Sequence, residues 1–130
     1  KIKRVVTIGS PHRGTSLATN LLEIGMIRNL VPMATALAEG SSFIKSLPKI
    51  TVEMGSIAGK KKSDFPNGLT LLTSIIIGDR VVHDGLVDLN STYVPGLKDY
   101  AVFDVDHISM LVSSDVLKAS LSFVKTGSFK

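Results

Sequence analysis

An α/β fold is predicted by three features of the sequence: short runs rich in β-branched residues that end in turn residues, intervening segments apolar at helical spacing, and the alternation of the two along the chain. Ile2 to Ile8, "IKRVVTI", stops at Gly9-Ser10-Pro11 and reads as a strand. Its near-continuous apolar run, Val5, Val6 and Ile8, suits a strand covered on both faces, as in a parallel sheet. Thr15 and Ser16 are candidate N-caps for "LATNLLEIGMIRNLV", which keeps helical spacing until Pro32, and "MATALAE" continues in helical style to Gly40. Ser41-Ser42 caps a short segment ending at Leu47-Pro48, and "KITVEMGSIAG" then alternates like a strand at Ile50, Val52 and Met54.

Lys60 to Gly68, "KKKSDFPNG", is polar, contains Pro and Gly, and reads as a loop. "LTLLTSIIIGD" is ambiguous: its Ile run favours a strand by propensity, but periodicity alone does not separate such a run from a buried helix. Tyr100 to Val105, "YAVFDV", reads as a strand. The last segment carries Ile108, Leu111, Val112, Val116, Leu117, Leu121 and Val124 at helical spacing, a stripe expected to pack on a sheet, with Asp106 as its N-cap. Neither an internal repeat nor a low-complexity linker interrupts the 130 residues, which are expected to form one segment of a single domain.

Composition narrows the function classes. With 44% apolar and 20% charged residues the chain has the makings of a core and is not of the disordered class. No run approaches the roughly 20 apolar residues of a membrane-spanning helix. The absence of Cys excludes disulfides, a thiolate nucleophile and Cys-based metal sites. The net charge of +4 comes largely from Lys1/Lys3/Arg4, Lys60-Lys61-Lys62 and C-terminal lysines, which read as solvated surface. Two Tyr, five Phe and no Trp make a thin stacking platform, so no nucleic-acid partner is expected.

The chemistry-bearing residues are Asp84, in "HDGLV", and His107, in "DVDHIS". A Ser hydroxyl is a weak nucleophile that needs an imidazole base, and the imidazole needs a carboxylate to fix its tautomer and stabilise its cation. Asp84 and His107 are 23 residues apart, room for a loop, a strand and a second loop, with His107 directly after a strand. Taken alone, Asp84-Gly85 is equally a turn signal. Asp79 and Asp88 compete for the acid's role, Asp79 otherwise reading as a cap and Asp88 as a surface partner for a lysine. His83 and His12 read as loop histidines. No His and carboxylate pair has helical metal-ligand spacing and no Gly-rich phosphate loop is present, so neither a metal nor a cofactor is implied.

Three blocks, "VVTIGSPHRGTSLA", "HDGLVDLNST" and "VDHISMLVSSDV", resemble consecutive blocks of bacterial-type lipases and esterases of the α/β-hydrolase superfamily. The resemblance implies the C-terminal half of a mainly parallel sheet with helices on its faces. In that family the second block holds the catalytic acid and the third the catalytic histidine, which implies these roles for Asp84 and His107. It also favours helix for Leu69 to Ile77, and makes residues 21–48 a candidate cap or lid over an acyl pocket, where the alternative is ordinary core helix.

The chain departs from the family in its nucleophile: no G-x-S-x-G elbow occurs, and Ser56 in "EMGSIAG" has the wrong neighbours. The nearest match is Gly14-Thr15-Ser16-Leu17-Ala18, which makes Ser16 a candidate nucleophile. Against it, Ser10-Pro11-His12-Arg13 separates Gly14 from the strand, whereas an elbow turns sharply between strand and helix, and helix capping is the competing role. The expectation is part of a serine carboxylic-ester hydrolase acting on an ester or lipid-like substrate. Its serine would come from upstream, in the N-terminal half of the domain on the same or a companion chain. The alternative is a non-catalytic hydrolase-like fragment or interaction module.

Overall fold

The β-branched run Arg4–Ile8 forms β1, Glu53–Gly59 forms β2 and Asp99–Phe103 forms β3, and the three make one sheet in the order β1-β2-β3. The computed structural model describes residues 1–23, 32–62, 76 and 81–130. Both pairings are parallel: Arg4–Ile8 lie against Glu53–Ile57, and Gly55–Gly59 against Asp99–Phe103. Among the described residues the helices with both ends defined are α1 (Ser16–Glu23), α2 (Pro32–Leu37), α3 (Ser42–Ser46) and α4 (Ser114–Thr126). Short 3-10 turns cover Leu89–Thr92 and Ser109–Leu111. The expected α/β architecture, a parallel sheet with helices packed on it, is what the chain adopts.

Because parallel partners point to the same side, one sheet face carries Val6, Ile57, Ala101 and Phe103. Against it α4 lays Val116 and Ala119, with Met110 from the turn before the helix, and these form the main core cluster. Phe123 is fully buried on the same helix and meets Phe129 at a centroid distance of 4.9 Å. Ser113 caps α4 by accepting from the Val116 N–H, and Gly127 ends it by donating to the Phe123 carbonyl at 2.8 Å. Arg4 donates to the Val124 and Lys125 carbonyls at 3.1 and 2.9 Å, placing a cation at the helix C-terminus, and to Glu53 at 2.6 Å. Glu53 also pairs with Lys98, and the hydrogen bonds from Lys98 and then Arg4 hold its carboxyl below the usual range.

Two expectations change here. The stripe assigned to the last segment does not pack on the sheet as a whole. Ile108, Leu111, Val112, Leu117, Leu121 and Val124 are exposed, and the buried face runs through Val116, Ala119 and Phe123. α4 is apolar on two sides, so spacing alone does not choose between them. Asp106 does not cap α4 either. It accepts from the Ile108 and Ser109 N–H groups at 3.0 Å each and so caps the 3-10 turn, which breaks the run before α4 begins.

α1 and α2 form a separate cluster, in which Ala18, Ala34 and Ala38 are buried with Leu22 and Leu37 beside them. Ser41 caps α3 as expected, accepting from the Ile44 N–H at 3.1 Å. β2 starts at Glu53, so Ile50 and Val52 lie before it. The remainder of the first helical segment (24–31), most of the expected loop (63–68), Asp79, and the ambiguous run from Leu69 apart from Ile76, which is helical, lie outside the described residues.

Replacing Phe123 with Ala should destabilise this chain by about 3–5 kcal/mol, whereas Leu117→Ala should stay within about 0.5 kcal/mol. Urea unfolding midpoints of the two variants check the assignment of the buried face.

Candidate active site

The carboxyl ends of parallel strands are where open α/β sheets gather their functional loops. Here β1 ends at Ile8, directly before Gly9, β2 ends at Gly59, and β3 leads into the segment bearing His107. Asp84 comes from the connection between β2 and β3, in a tight turn whose geometry its own side chain sets. Asp84 Oδ1 accepts from the Leu86 and Val87 N–H groups at 3.0 and 2.8 Å, and the Asp84 N–H donates to the Val87 carbonyl at 3.2 Å. This leaves Oδ2 to face His107 Nδ1 at 2.8 Å. The two residues are also joined through the backbone, His107 N–H to Asp84 carbonyl at 2.9 Å.

The Asp84 side chain is 1% exposed and that of His107 30%. A carboxylate only accepts hydrogen bonds, so the proton of neutral His107 sits on Nδ1 and Nε2 is the basic nitrogen. The hydrogen bond to Asp84 raises the His107 pKa above its usual value. Burial opposes the rise, and the Asp84 and Asp106 charges add to it.

Two glycines make the room. At Gly59 a Cβ would run into the Val105 carbonyl oxygen and come within 2.9 Å of Asp84 Cβ and 3.0 Å of Met110 Cε. Gly9 has φ +58°, a left-handed conformation, and a Cβ there would lie 3.1 Å from the His107 ring and 3.0 Å from Met110 Cε. Each strand end is thus bare where the acid or the imidazole passes it. His107 lines an apolar cavity of about 550 Å³ whose walls include Leu17 and Leu21 of α1, Met33 and Leu37 of α2, and Leu86 of the acid loop. A larger cleft of about 910 Å³ lies elsewhere, bordered by His12, Arg13, Tyr93 and Tyr100. It holds neither Asp84 nor His107, so volume alone does not select the site.

The other singled-out residues fall in different places. Ser16 is the first residue of α1, and its Oγ donates to Asp88 Oδ1 at 2.6 Å while its N–H donates to Oδ2 at 2.6 Å. The residue before the helix is Thr15, whose Oγ1 accepts from the Leu17 N–H at 3.3 Å, so capping falls to Thr15 and, from across the fold, to Asp88. Asp88 is therefore no surface partner for a lysine: it is 3% exposed and bound to Ser16. Ser56 is buried inside β2 and donates to the Thr92 carbonyl at 2.9 Å. His12 Nε2 pairs with Thr7 Oγ1 at 2.9 Å, and burial lowers its pKa. His83 is buried, its Nδ1 accepting from the Gly85 N–H at 2.9 Å. Nothing in residue spacing pointed to the Ser16–Asp88 bond, which joins positions 72 apart.

The parallel sheet with its helices is an α/β fold, and it is similar to that of a solved lipase. The solved structures it is similar to include lipase BlEst2 of Bacillus licheniformis. Against the propeptide form of that enzyme the TM-score is 0.72 at 19% identity, covering 95% of this chain and 30% of the other. Against the mature form it is 0.64 at 19% identity, covering 98% and 55%. The chain thus spans 30% and 55% of those two structures, and the likeness is one of fold. No protein-family model and no curated protein matches the sequence.

A His107 proton resonance followed by NMR should titrate above 6.5, the ordinary histidine value. Asp84→Asn removes the leading cause of the rise together with the Asp84 charge and leaves burial opposed only by the smaller pull of Asp106, so the midpoint should fall. Because the folded-state pKa is raised, the stability contributed by this contact is complete below the unfolded value and is lost as pH rises through the folded one.

Proposed function

We propose that this chain is part of a serine carboxylic-ester hydrolase of the α/β-hydrolase superfamily, lipase- or esterase-like, with Asp84 as its catalytic acid and His107 as its base. The observation that carries the reading is the 2.8 Å contact between buried Asp84 Oδ2 and His107 Nδ1, beside an apolar cavity lined by His107. Catalytic pairs of this kind need an oriented imidazole, a carboxylate shielded from water, and space for the substrate.

In this reading the serine hydroxyl attacks the ester carbonyl while His107 Nε2 takes its proton. The imidazolium, stabilised by Asp84, returns that proton to the departing alcohol as the tetrahedral intermediate collapses to an acyl-enzyme. Water, deprotonated by the same nitrogen, then releases the acid and restores the serine. The acyl chain would lie between His107 and the α1–α2 layer, where Leu17, Leu21, Met33 and Leu37 offer an apolar wall. Residues 21–48 contribute part of that wall, in keeping with a cap role for the segment. The serine is proposed to precede Lys1, in the N-terminal half of the domain. Ser16 is the weaker candidate, since its Oγ is engaged by Asp88.

In the full-length protein Asp84→Asn should lower kcat on a p-nitrophenyl ester by about 10⁴, and His107→Ala by up to about 10⁶. Activity retained in both variants would refute the assignment. Labelling with a fluorophosphonate followed by peptide mapping locates the nucleophile, upstream as proposed or at Ser16. The base must be unprotonated, so the ascending limb of kcat/KM should lie above pH 6.5, following the raised His107 pKa.

A further inference from the structure

The main core and the α1–α2 cluster are built from different residues, and the cavity lined by His107 borders the second through Ala18, Ala34 and Leu37. Polar contacts set how far α1 stands from the acid loop. Both oxygens of Asp88 hold Ser16, through its N–H and its Oγ, each at 2.6 Å. Thr15 Oγ1 donates to the Leu86 carbonyl at 3.0 Å, and the Arg13 N–H to the Ser91 carbonyl at 3.1 Å. Asp88 is 3% exposed and sits four positions after Asp84 in the chain, so one loop presents a carboxylate to His107 and another to α1. The helix-end dipole favours the anion there, and charge-assisted bonds of this length hold a fixed geometry.

We infer that Asp88 is a positioning residue that fixes the apolar wall of α1, through Ser16, relative to His107, and so determines how well the site accepts a long acyl chain. The inference rests on the hydrolase reading above but has a readout apart from turnover. Leu17 and Leu21 line the cavity one turn apart on α1, so a tilt about its N-terminus displaces both. A short acyl group would make little use of that wall. Misplacement by about 1 Å can cost about 10²-fold, so a partial loss of fit is expected when the carboxylate is removed.

The experiment compares Asp88→Ala, Asp88→Asn and wild type, as the full-length protein, on p-nitrophenyl acetate and p-nitrophenyl octanoate, and measures octanoate binding by calorimetry. Asp88→Ala should lower the octanoate-to-acetate ratio of kcat/KM about tenfold, mainly through KM, and weaken octanoate binding by a similar factor. Asp88→Asn, which keeps an acceptor for Ser16, should recover most of the loss. Should Asp88→Ala not fold, Asp88→Ser, too short to span the gap, gives the same comparison. An equal fall on both esters, an unchanged ratio, or no octanoate binding by wild type would overturn the inference. If wild type hydrolyses neither ester yet binds octanoate, and Asp88→Ala weakens that binding, the hydrolase reading fails and the positioning role stands.

Discussion

A carboxylate removed from water must recover in hydrogen bonds what it loses in hydration, and the buried Asp84 side chain imposes that demand on everything near it. Its two oxygens are met by the Leu86 and Val87 N–H groups and by His107 Nδ1. The turn that follows Asp84 is as tight as it is because two of those donors come from the next three residues. Gly59 is bare because the Val105 carbonyl oxygen and the Asp84 Cβ both crowd the place where its own Cβ would stand, and Gly9 because Met110 Cε and the imidazole come within 3.0 and 3.1 Å one strand over. The His107 backbone is tied to the Asp84 carbonyl as well. The side-chain contact is therefore held from both ends, and the imidazole has little freedom to leave it.

The sheet makes this arrangement possible by bringing three strand ends to one edge. Its opposite edge is built from charge: Arg4 joins β1 to β2 through Glu53 and to the end of α4 through the Val124 and Lys125 carbonyls. Asp99 at the start of β3 accepts from the Phe129 N–H at 2.7 Å, which draws the C-terminal residues onto the core beside Phe123. That hydrogen bond is also the leading cause of the lowered Asp99 pKa. Polar contacts at the amino ends and apolar packing of α4 beneath thus fix the strands, while the carboxyl ends stay free to serve the site.

Much of this was legible in residue order. β1 follows from a β-branched run with turn residues behind it, β3 from the short apolar and aromatic run of "YAVFDV", and a parallel arrangement from the near-continuous apolar stretch in β1. The pairing of Asp84 with His107 was expected from a carboxylate on one loop and an imidazole after the next strand, helped by resemblance to lipase blocks. Less legible was anything that depends on a choice between chemically equal options. α4 has two apolar faces, and only the position of the sheet picks Val116, Ala119 and Phe123 over Leu117, Leu121 and Val124. Asp106 and Ser113 are both good caps, and the 3-10 turn between them decides which helix each serves. Asp88 looked like a surface charge because its partner, Ser16, is remote in the chain and near only once the loops have folded.

The polar join between the α1–α2 layer and the acid loop also bears on why a cavity persists there. Apolar surfaces in contact close upon one another until voids are lost, since each gap forfeits dispersion contacts. A junction made only of leucines would tend to collapse into the space beside His107. Hydrogen bonds have a fixed length and direction, so those from Ser16 and Thr15 set a separation as well as an attraction. The buried charge of Asp88 adds a penalty for breaking them. Small residues at the α1–α2 contact, Ala18, Ala34 and Ala38, let the layer pack against itself with its larger Leu17, Leu21 and Met33 side chains on the cavity wall. The same polar contacts thus hold the layer to the acid loop and preserve the apolar space beside His107.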